Sequence, residues 1–206
     1  MKIEKVVTKG VFSLDGEDFD VEDNIWIVGD ARECIVIDAA HEADPIVEGV
    51  GDRLVRMILC THAHNDHINA IGELQPRLDA PVALHPADGE LWKHIYPNRG
   101  WDEDLKDGEL ITVGGSRLQI LHTPGHTPGG VSVYDGEGSV FVGDTLFKGG
   151  PGATGRSFSN FPTIIESIRN RLLTLPSETV VYPGHGDTTT IGAEAPHLDE
   201  WIERGY

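Results

Sequence analysis

Four potential metal ligands crowd into six positions of this chain, His62-Ala63-His64-Asn65-Asp66-His67, directly behind the apolar run LVRMILC. Such a run reads as a buried strand, and loops at the ends of buried strands are where a rigid scaffold presents chemistry. The fold must therefore stop a strand abruptly and turn the chain so that imidazoles and a carboxylate converge. Imidazole and carboxylate together suit Zn, Fe or Mn, and three His with one Asp exceed what one ordinary site takes from so short a segment. Two metals become feasible if a helix begins near Asp66: alternate positions before the turn face one cation, and Asp66 and His67 face another.

The rest of the chain supplies the scaffold and three more candidate ligands. IEKVV, VFSLDG, NIWIVGD and ECIVIDAA read as an opening antiparallel β region separated by Gly- and Asp-rich turns. A short helix is expected from Ala43 to Gly49, then the strand LVRMILC, a loop and helix from about Asn65, the strand APVALH and the helix PADGELWKHI. ELITV, RLQILHT, GVSVYD and SVFVGDT form a second β region. Helical spacing over Phe161 to Leu175, the strand TVVYPG and a short acidic helix follow. The order β, mixed, β, mixed fits two antiparallel sheets packed together with helices outside, an α+β arrangement in one domain spanning 1–206. Within it TPGHTPGG, FVGDTLF and YPGHGD place His126, Asp144 and His185 at strand ends, each with Gly nearby to let the backbone turn closely. His41, His85, His94, His122 and His197 share no such context and are expected to have no metal role.

H-x-H-x-D-H followed by separate His, Asp and His at strand ends resembles the metallo-β-lactamase superfamily, over nearly the whole chain. The resemblance implies a four-layer αββα sandwich. It implies a first metal on His62, His64 and His126, a second on Asp66, His67 and His185, and Asp144 bridging them, with Asp66 and Asp144 as the catalytic carboxylates. β-Lactamases of this fold lack a bridging Asp at the position of Asp144, flavodiiron proteins usually carry Glu at that of His64, and the nucleases add basic RNA-binding surfaces. What remains looks most like the glyoxalase II group, thioester hydrolases with this ligand set, beside lactonases and the persulfide dioxygenases, which use one iron. The implied cofactor is two divalent ions, Zn first, with Fe or Mn as alternatives. Glyoxalase II enzymes carry an added carboxy-terminal helical domain, whereas 21 residues follow His185 here, so the carrier thiol is open and another, such as mycothiol, is an alternative to glutathione.

Charge narrows the partners. Sixteen Lys and Arg face 34 Asp and Glu, a formal net charge of −18, which repels phosphate backbones and anionic bilayers. A small-molecule substrate, a thiol conjugate for example, is expected rather than nucleic acid or membrane. The amino-terminal MKIEKVVTKG lacks a secretory apolar run, and Cys34 and Cys60 sit in apolar runs as buried, reduced thiols. Both point to the cytoplasm. For substrate contacts, the Gly-rich stretch after Asp144 offers Lys148, Arg156 and Phe158, with Phe147, and HIYPNRGWDED offers a second rim of Tyr96, Arg99 and Trp101.

Overall fold

The computed structural model describes residues 1–205. Strands β1 (Lys2–Leu14) and β2 (Glu17–Gly29) form one long antiparallel hairpin. The turn is Asp15-Gly16, both left-handed (φ 54° and 80°), a conformation Gly adopts freely and Asp tolerates. The sequence reading splits β1 at Gly10; the structure runs straight through, because Gly10 keeps its place opposite Val21 in the ladder. Then come β3 (Glu33–Ile37), α1 (Ala43–Val50), β4 (Leu54–Leu59), α2 (Asn65–Ile68), α3 (Ile71–Leu78), β5 (Val82–Leu84), α4 (Gly89–Ile95) and β6 (Glu103–Asp104). The second half contributes β7 (Leu110–Val113), β8 (Ser116–His122), β9 (Val131–Tyr134) and β10 (Ser139–Gly143), then a small hairpin of β11 (Leu146–Phe147) and β12 (Gly150–Pro151). Helix α5 (Phe161–Ser167) continues as a π-helical stretch to Leu172, before β13 (Val180–Pro183), β14 (Thr189–Thr190), α6 (Ile191–Glu194) and α7 (Leu198–Arg204).

The first sheet runs β1 to β6 in order, the second β14-β13-β10-β9-β8-β7. Neither is purely antiparallel, as the sequence reading expected. β3, β4, β5 and β6 pair in parallel, and so do β10 and β13. The reason lies in the connections: α1, α3 and α4 are crossovers in the first sheet and α5 in the second, and a crossover returns the next strand in the same direction.

Strand alternation assigns the layers. Along β2, Ile25 and Ile27 join the cluster beneath the outer helices with Ile46, Ile71 and Trp92, whereas Trp26 and Val28 join the cluster between the sheets with Phe141, Val113 and Ile120. Along β10, Phe141 faces that central cluster while Val140 and Val142 pack with Ile164, Ile168 and Trp201. Three apolar seams therefore separate four layers, helix, sheet, sheet, helix, the αββα sandwich. Strands buried on both faces read as near-continuous apolar runs, as ECIVI and SVFVG do. Each large buried side chain contributes roughly 1.5–3 kcal/mol, so the strand ends are held by a scaffold that needs no disulfide; Cys34 and Cys60 are buried and free.

Parallel strands end on the same side, and this positions the site. The carboxyl ends of β3 and β4 meet those of β10 and β13 where the two sheets are stitched together by Val131 N–H to Thr61 O (2.8 Å) and Asn24 N–H to Gly184 O (2.7 Å), while Gly184 N–H to Gly143 O (2.8 Å) ties the ends of β10 and β13 to each other.

Candidate metal centre

All seven sequence-predicted ligands arrive at this edge. His62 and His64 lie in the turn after β4, Asp66 and His67 on α2, His126 in the loop after β8, Asp144 directly after β10 and His185 just beyond β13, with Gly184 between. With Asp23, which the sequence reading did not include, their donor atoms form three groups, each compact enough to hold one ion: His62, His64 and His126; Asp23, Asp66, His67 and His185; and His62, His67 and Asp144. Asp144 stands between the first two, with Oδ2 3.6 Å from His126 Nε2 and 3.3 Å from His185 Nε2, and Oδ1 3.4 Å from His67 Nε2.

In the first cluster the outer ring nitrogens fix which atoms face inward. Thr61 Oγ1 donates to Asp38 Oδ2 (2.9 Å), so it accepts from His62 Nδ1 (3.1 Å), and His126 Nδ1 donates to Ala153 O (2.9 Å). Both Nε2 atoms are thereby left as lone pairs, 3.1 and 3.0 Å from His64 Nδ1. Three nitrogens about 3.3 Å apart are what a tetrahedral ion with bonds near 2.05 Å requires, so the donor set fits a metal. The rings are neutral: burial first, then the neighbouring imidazoles, hold His62 and His64 well below the usual histidine range. Burial lowers His126 too, against the pull of Asp144.

The second cluster has the opposite electrostatics. His67 Nδ1 donates to Asp38 Oδ2 (2.9 Å) and His185 Nδ1 to Glu22 O (2.8 Å), aiming both Nε2 atoms inward, 3.3 Å apart. Burial works to lower both rings. The carboxylates outweigh it: Asp144, Asp38 and Asp66 hold His67 well above the ordinary range, and Asp144 raises His185 to about 9. Asp144 shows the reverse, since burial would raise it but His185 and His67 hold it well below the usual carboxylate range. Burial pushes Asp66 up to about 6. Protons on His67 and His185 thus occupy the place of a cation among carboxylates. Among the described residues, few buried side-chain polar atoms lack a partner, and three of them are carboxylate oxygens of this cluster, Asp23 Oδ1, Asp66 Oδ1 and Asp144 Oδ1. Buried oxygens left without donors are costly, and a cation satisfies them.

The approach is close because Gly184 has no side chain: a Cβ there would lie 2.4 Å from Asp144 Oδ1 and 2.6 Å from His67 Cε1. Several supports were not foreseen from sequence. Asp38, left-handed at the end of β3 (φ 64°), accepts from Thr61 N–H, Thr61 Oγ1 and His67 Nδ1. Asp88 accepts from Ala63 N–H, Thr127 Oγ1 and Gly129 N–H, tying the loop of His62 to that of His126. Asn24 donates to Pro183 O and Gly186 O, clamping the His185 loop from 159 and 162 residues away. The only signal for Asp38 is an acid ending an apolar strand, the pattern that singled out Asp144; for Asp23, Asp88 and Asn24 there is none locally. His41, expected to have no metal role, touches the cluster through Asp23 (Nε2 to Oδ2, 2.7 Å).

A cavity of about 390 Å³ opens over the centre, walled by Phe12, Val21, Glu22, Phe147 and Ala153 with His64, Asp66, His126, Asp144 and His185 at its floor. Of the substrate residues expected from sequence, Phe147 lines it; Lys148, Arg156 and Phe158 do not. Lys148 reaches Asp187 (3.5 Å), Arg156 pairs with Glu17 (2.6 Å) and lies over the Phe19 ring, and Phe158 stacks edge-on with His94. Arg156 is drawn instead to the β1–β2 hairpin, Phe158 to α4 and Lys148 to the loop after β13. The second expected rim is also structural. Tyr96 Oη donates to Ile68 O (2.8 Å), Arg99 bonds Gln75, and Trp101 donates to Asp104 (2.8 Å), all packed against the outer helices.

Two His/Asp clusters sharing a carboxylate at the strand ends of an αββα sandwich define a class of metal-dependent hydrolases. The chain belongs to the Metallo-beta-lactamase superfamily, whose sequence profile matches residues 20–185. It is 31% identical to the hydroxyacylglutathione hydrolase GloC of Haemophilus influenzae over 189 residues, 82% of this chain and 87% of GloC. Among solved structures it is similar to TTHA1623 in a di-iron-bound form (TM-score 0.74, 35% identity, 85% of this chain and 93% of that one). It is also similar to ETHE1 from Myxococcus xanthus (TM-score 0.78, 28% identity, 100% and 90%) and to the B3 metallo-beta-lactamase BLEG-1 (TM-score 0.76, 28% identity, 93% and 98%).

Proposed function

We propose that this protein is a dinuclear hydrolase of small thioesters, glyoxalase II-like in reaction, with His62, His64 and His126 holding one cation, Asp66, His67 and His185 the other, and Asp144 both. The observation that carries it is the pair of clusters meeting at one carboxylate: neutral nitrogens on one side, carboxylates around two inward-facing imidazoles on the other. Zn is the first candidate ion; Fe gains support from the di-iron form of TTHA1623. When bound, two divalent cations supply a water ionised near neutral pH and a Lewis-acid contact for a carbonyl oxygen.

The chain's own groups do the rest. Asp66, its Oδ1 unpartnered and buried at the cavity floor, would orient the nucleophilic water by accepting a hydrogen bond from it. Phe12, Val21 and Phe147 pack along the acyl group and keep bulk water from it. Among the described residues no Lys or Arg lines the cavity, so no side-chain ammonium or guanidinium from them stands ready to protonate a leaving amine. A thiolate, with a free-thiol pKa of about 8.5, departs without a strong acid. This favours a thioester over an amide or β-lactam, the kinship with GloC over that with BLEG-1. A small-molecule partner fits the walled cavity, and the charge of −18 weighs against nucleic acid and anionic membranes. Among the described residues no helix is long and apolar enough to cross a membrane; reduced, buried Cys34 and Cys60 favour a cytoplasmic location.

Metal analysis with a substrate panel tests this reading. Two metals per chain and fastest cleavage of a thioester, among thioester, lactone and β-lactam substrates, are expected. One iron per chain with oxygen uptake on a glutathione persulfide would replace it with a mononuclear dioxygenase, the alternative the likeness to ETHE1 favours. Fastest cleavage of a lactone would keep the site but change the substrate. Comparing glutathione and mycothiol esters identifies the carrier thiol.

A further inference from the structure

We propose that Asp23 is a direct ligand of the second cation, completing with Asp66, His67, His185 and the shared Asp144 an oxygen-rich set that favours a hard ion, Mn²⁺ or Fe²⁺, over Zn²⁺. The inference rests on the dinuclear reading above and concerns a residue outside the ligand set that the motif implies.

Asp23 lies within β2, not in a loop, and its side chain is 1% exposed. Its Oδ1 has no hydrogen-bond partner and stands 3.5 Å from His185 Nε2 and 3.9 Å from His67 Nε2, within the same compact donor group as Asp66. The other oxygen is held from behind. His41 N–H donates to Asn69 Oδ1 (2.5 Å), which fixes the Asn69 amide so that Nδ2 donates to His41 Nδ1 (3.0 Å). His41 Nδ1 is therefore an acceptor, its proton is on Nε2, and Nε2 donates to Asp23 Oδ2 (2.7 Å). A histidine that binds one carboxylate oxygen from outside orients the other toward an ion, the usual outer support of a metal-bound carboxylate.

Two backbone features accommodate this pair. His41 adopts a left-handed conformation (φ 59°), uncommon for a residue with a side chain. Gly10 on β1 clears the space its ring fills: a Cβ there would come within 2.2 Å of His41 Nδ1. With Asp23 bound, the second ion meets three carboxylates and two imidazoles, whereas the first meets three imidazoles and the shared Asp144. Carboxylate-rich sets of five donors suit Mn²⁺ and Fe²⁺; tetrahedral nitrogen-rich sets suit Zn²⁺.

The test is titration of metal-free full-length protein with Mn²⁺ and, separately, Zn²⁺, by calorimetry or chelator competition, for wild type, Asp23→Asn, Asp23→Ala and His41→Ala. Asp23→Asn and Asp23→Ala are expected to leave the first binding event unchanged and weaken the second more than about tenfold for Mn²⁺, and less for Zn²⁺; His41→Ala weakens it in the same sense by a smaller factor. Unchanged second-site Mn²⁺ affinity in both Asp23 variants overturns the proposal. Should the variants fail to fold, by circular dichroism, a crystal structure of Mn²⁺-loaded wild type decides. Asp23 Oδ1 within about 2.5 Å of the second ion supports the proposal; a complete coordination sphere without it refutes it. Wild type that binds no metal pair at all would bring down the dinuclear reading instead, and is told apart by the first titration alone.

Discussion

The two halves of the centre, each reaching the same Asp144 oxygen (3.6 Å from His126 and 3.3 Å from His185), are chemically unlike. The cluster of His62, His64 and His126 is three neutral imidazoles whose outer nitrogens are fixed by a hydroxyl or a carbonyl, where such a partner exists. The cluster of Asp23, Asp66, His67 and His185 is a pocket of buried carboxylates in which the imidazoles hold protons until a cation displaces them. The first half is prepared for an ion and the second must exchange protons for one. One carboxylate, Asp144, stands between them, near His126 on one side and His67 and His185 on the other.

The largest effect should come from removing that carboxylate. Asp144→Ala is expected to lower turnover of the preferred substrate by about 10³-fold or more and to lower the bound metal below two per chain by elemental analysis. Turnover within a few-fold of wild type would break the idea of a shared carboxylate.

Next is proton competition. His185 must shed a proton held up to about 9, and His67 one held well above the ordinary range, so second-site affinity should rise roughly tenfold per pH unit per proton displaced between about 6.5 and 9. The first site, whose rings are depressed, should show no such slope in that window. Equal slopes for the two binding steps, measured by calorimetry at several pH values, would erase the distinction.

The same protons govern the metal-free fold. A group whose folded pKa is raised binds protons more tightly folded than unfolded, so its stabilisation is full below the unfolded pKa and is lost as pH rises through the folded one. For His185 that loss runs from about 6.5 to about 9, and His67 acts in the same direction. The Tm of metal-free protein should therefore fall across this window, while saturating metal reverses or flattens the trend. A Tm of the stripped protein that climbs with pH would contradict the charge assignment.

The smallest effect belongs outside both clusters. Arg156 and Glu17 pair near the surface, the Arg side chain 33% exposed and the Glu 62%, and such pairs contribute about 0–1 kcal/mol. Arg156→Ala should shift stability by no more than that and leave KM within about threefold. A KM raised tenfold or more would return Arg156 to the substrate site and show that the hairpin carrying Glu17 moves during binding.

How much of this was legible in the chain follows the range of the interactions. His62, His64, Asp66 and His67 announce themselves because a strand end brings them together within six positions, and His126, Asp144 and His185 because glycine marks each sharp turn. The layers follow from apolar strands separated by amphipathic helices. Asp23 and Asn24 read as polar punctuation before NIWIVG, because what makes them part of the site, the His185 loop and the ring of His41, lies far along the chain. Lys148 and Arg156 carried the right chemistry for a carboxylate, yet their charges are taken up by Asp187 and Glu17.

The sequence by itself determined the candidate donors, their strand-end positions and the family, since these depend on local spacing and on the hydrophobic period. Only the tertiary structure decided which proton each imidazole keeps, which carboxylate oxygens are left bare, and that an aspartate inside a strand faces the second cluster. Those depend on what lies within a few ångströms after the sheets have packed, and no local pattern in the chain encodes that.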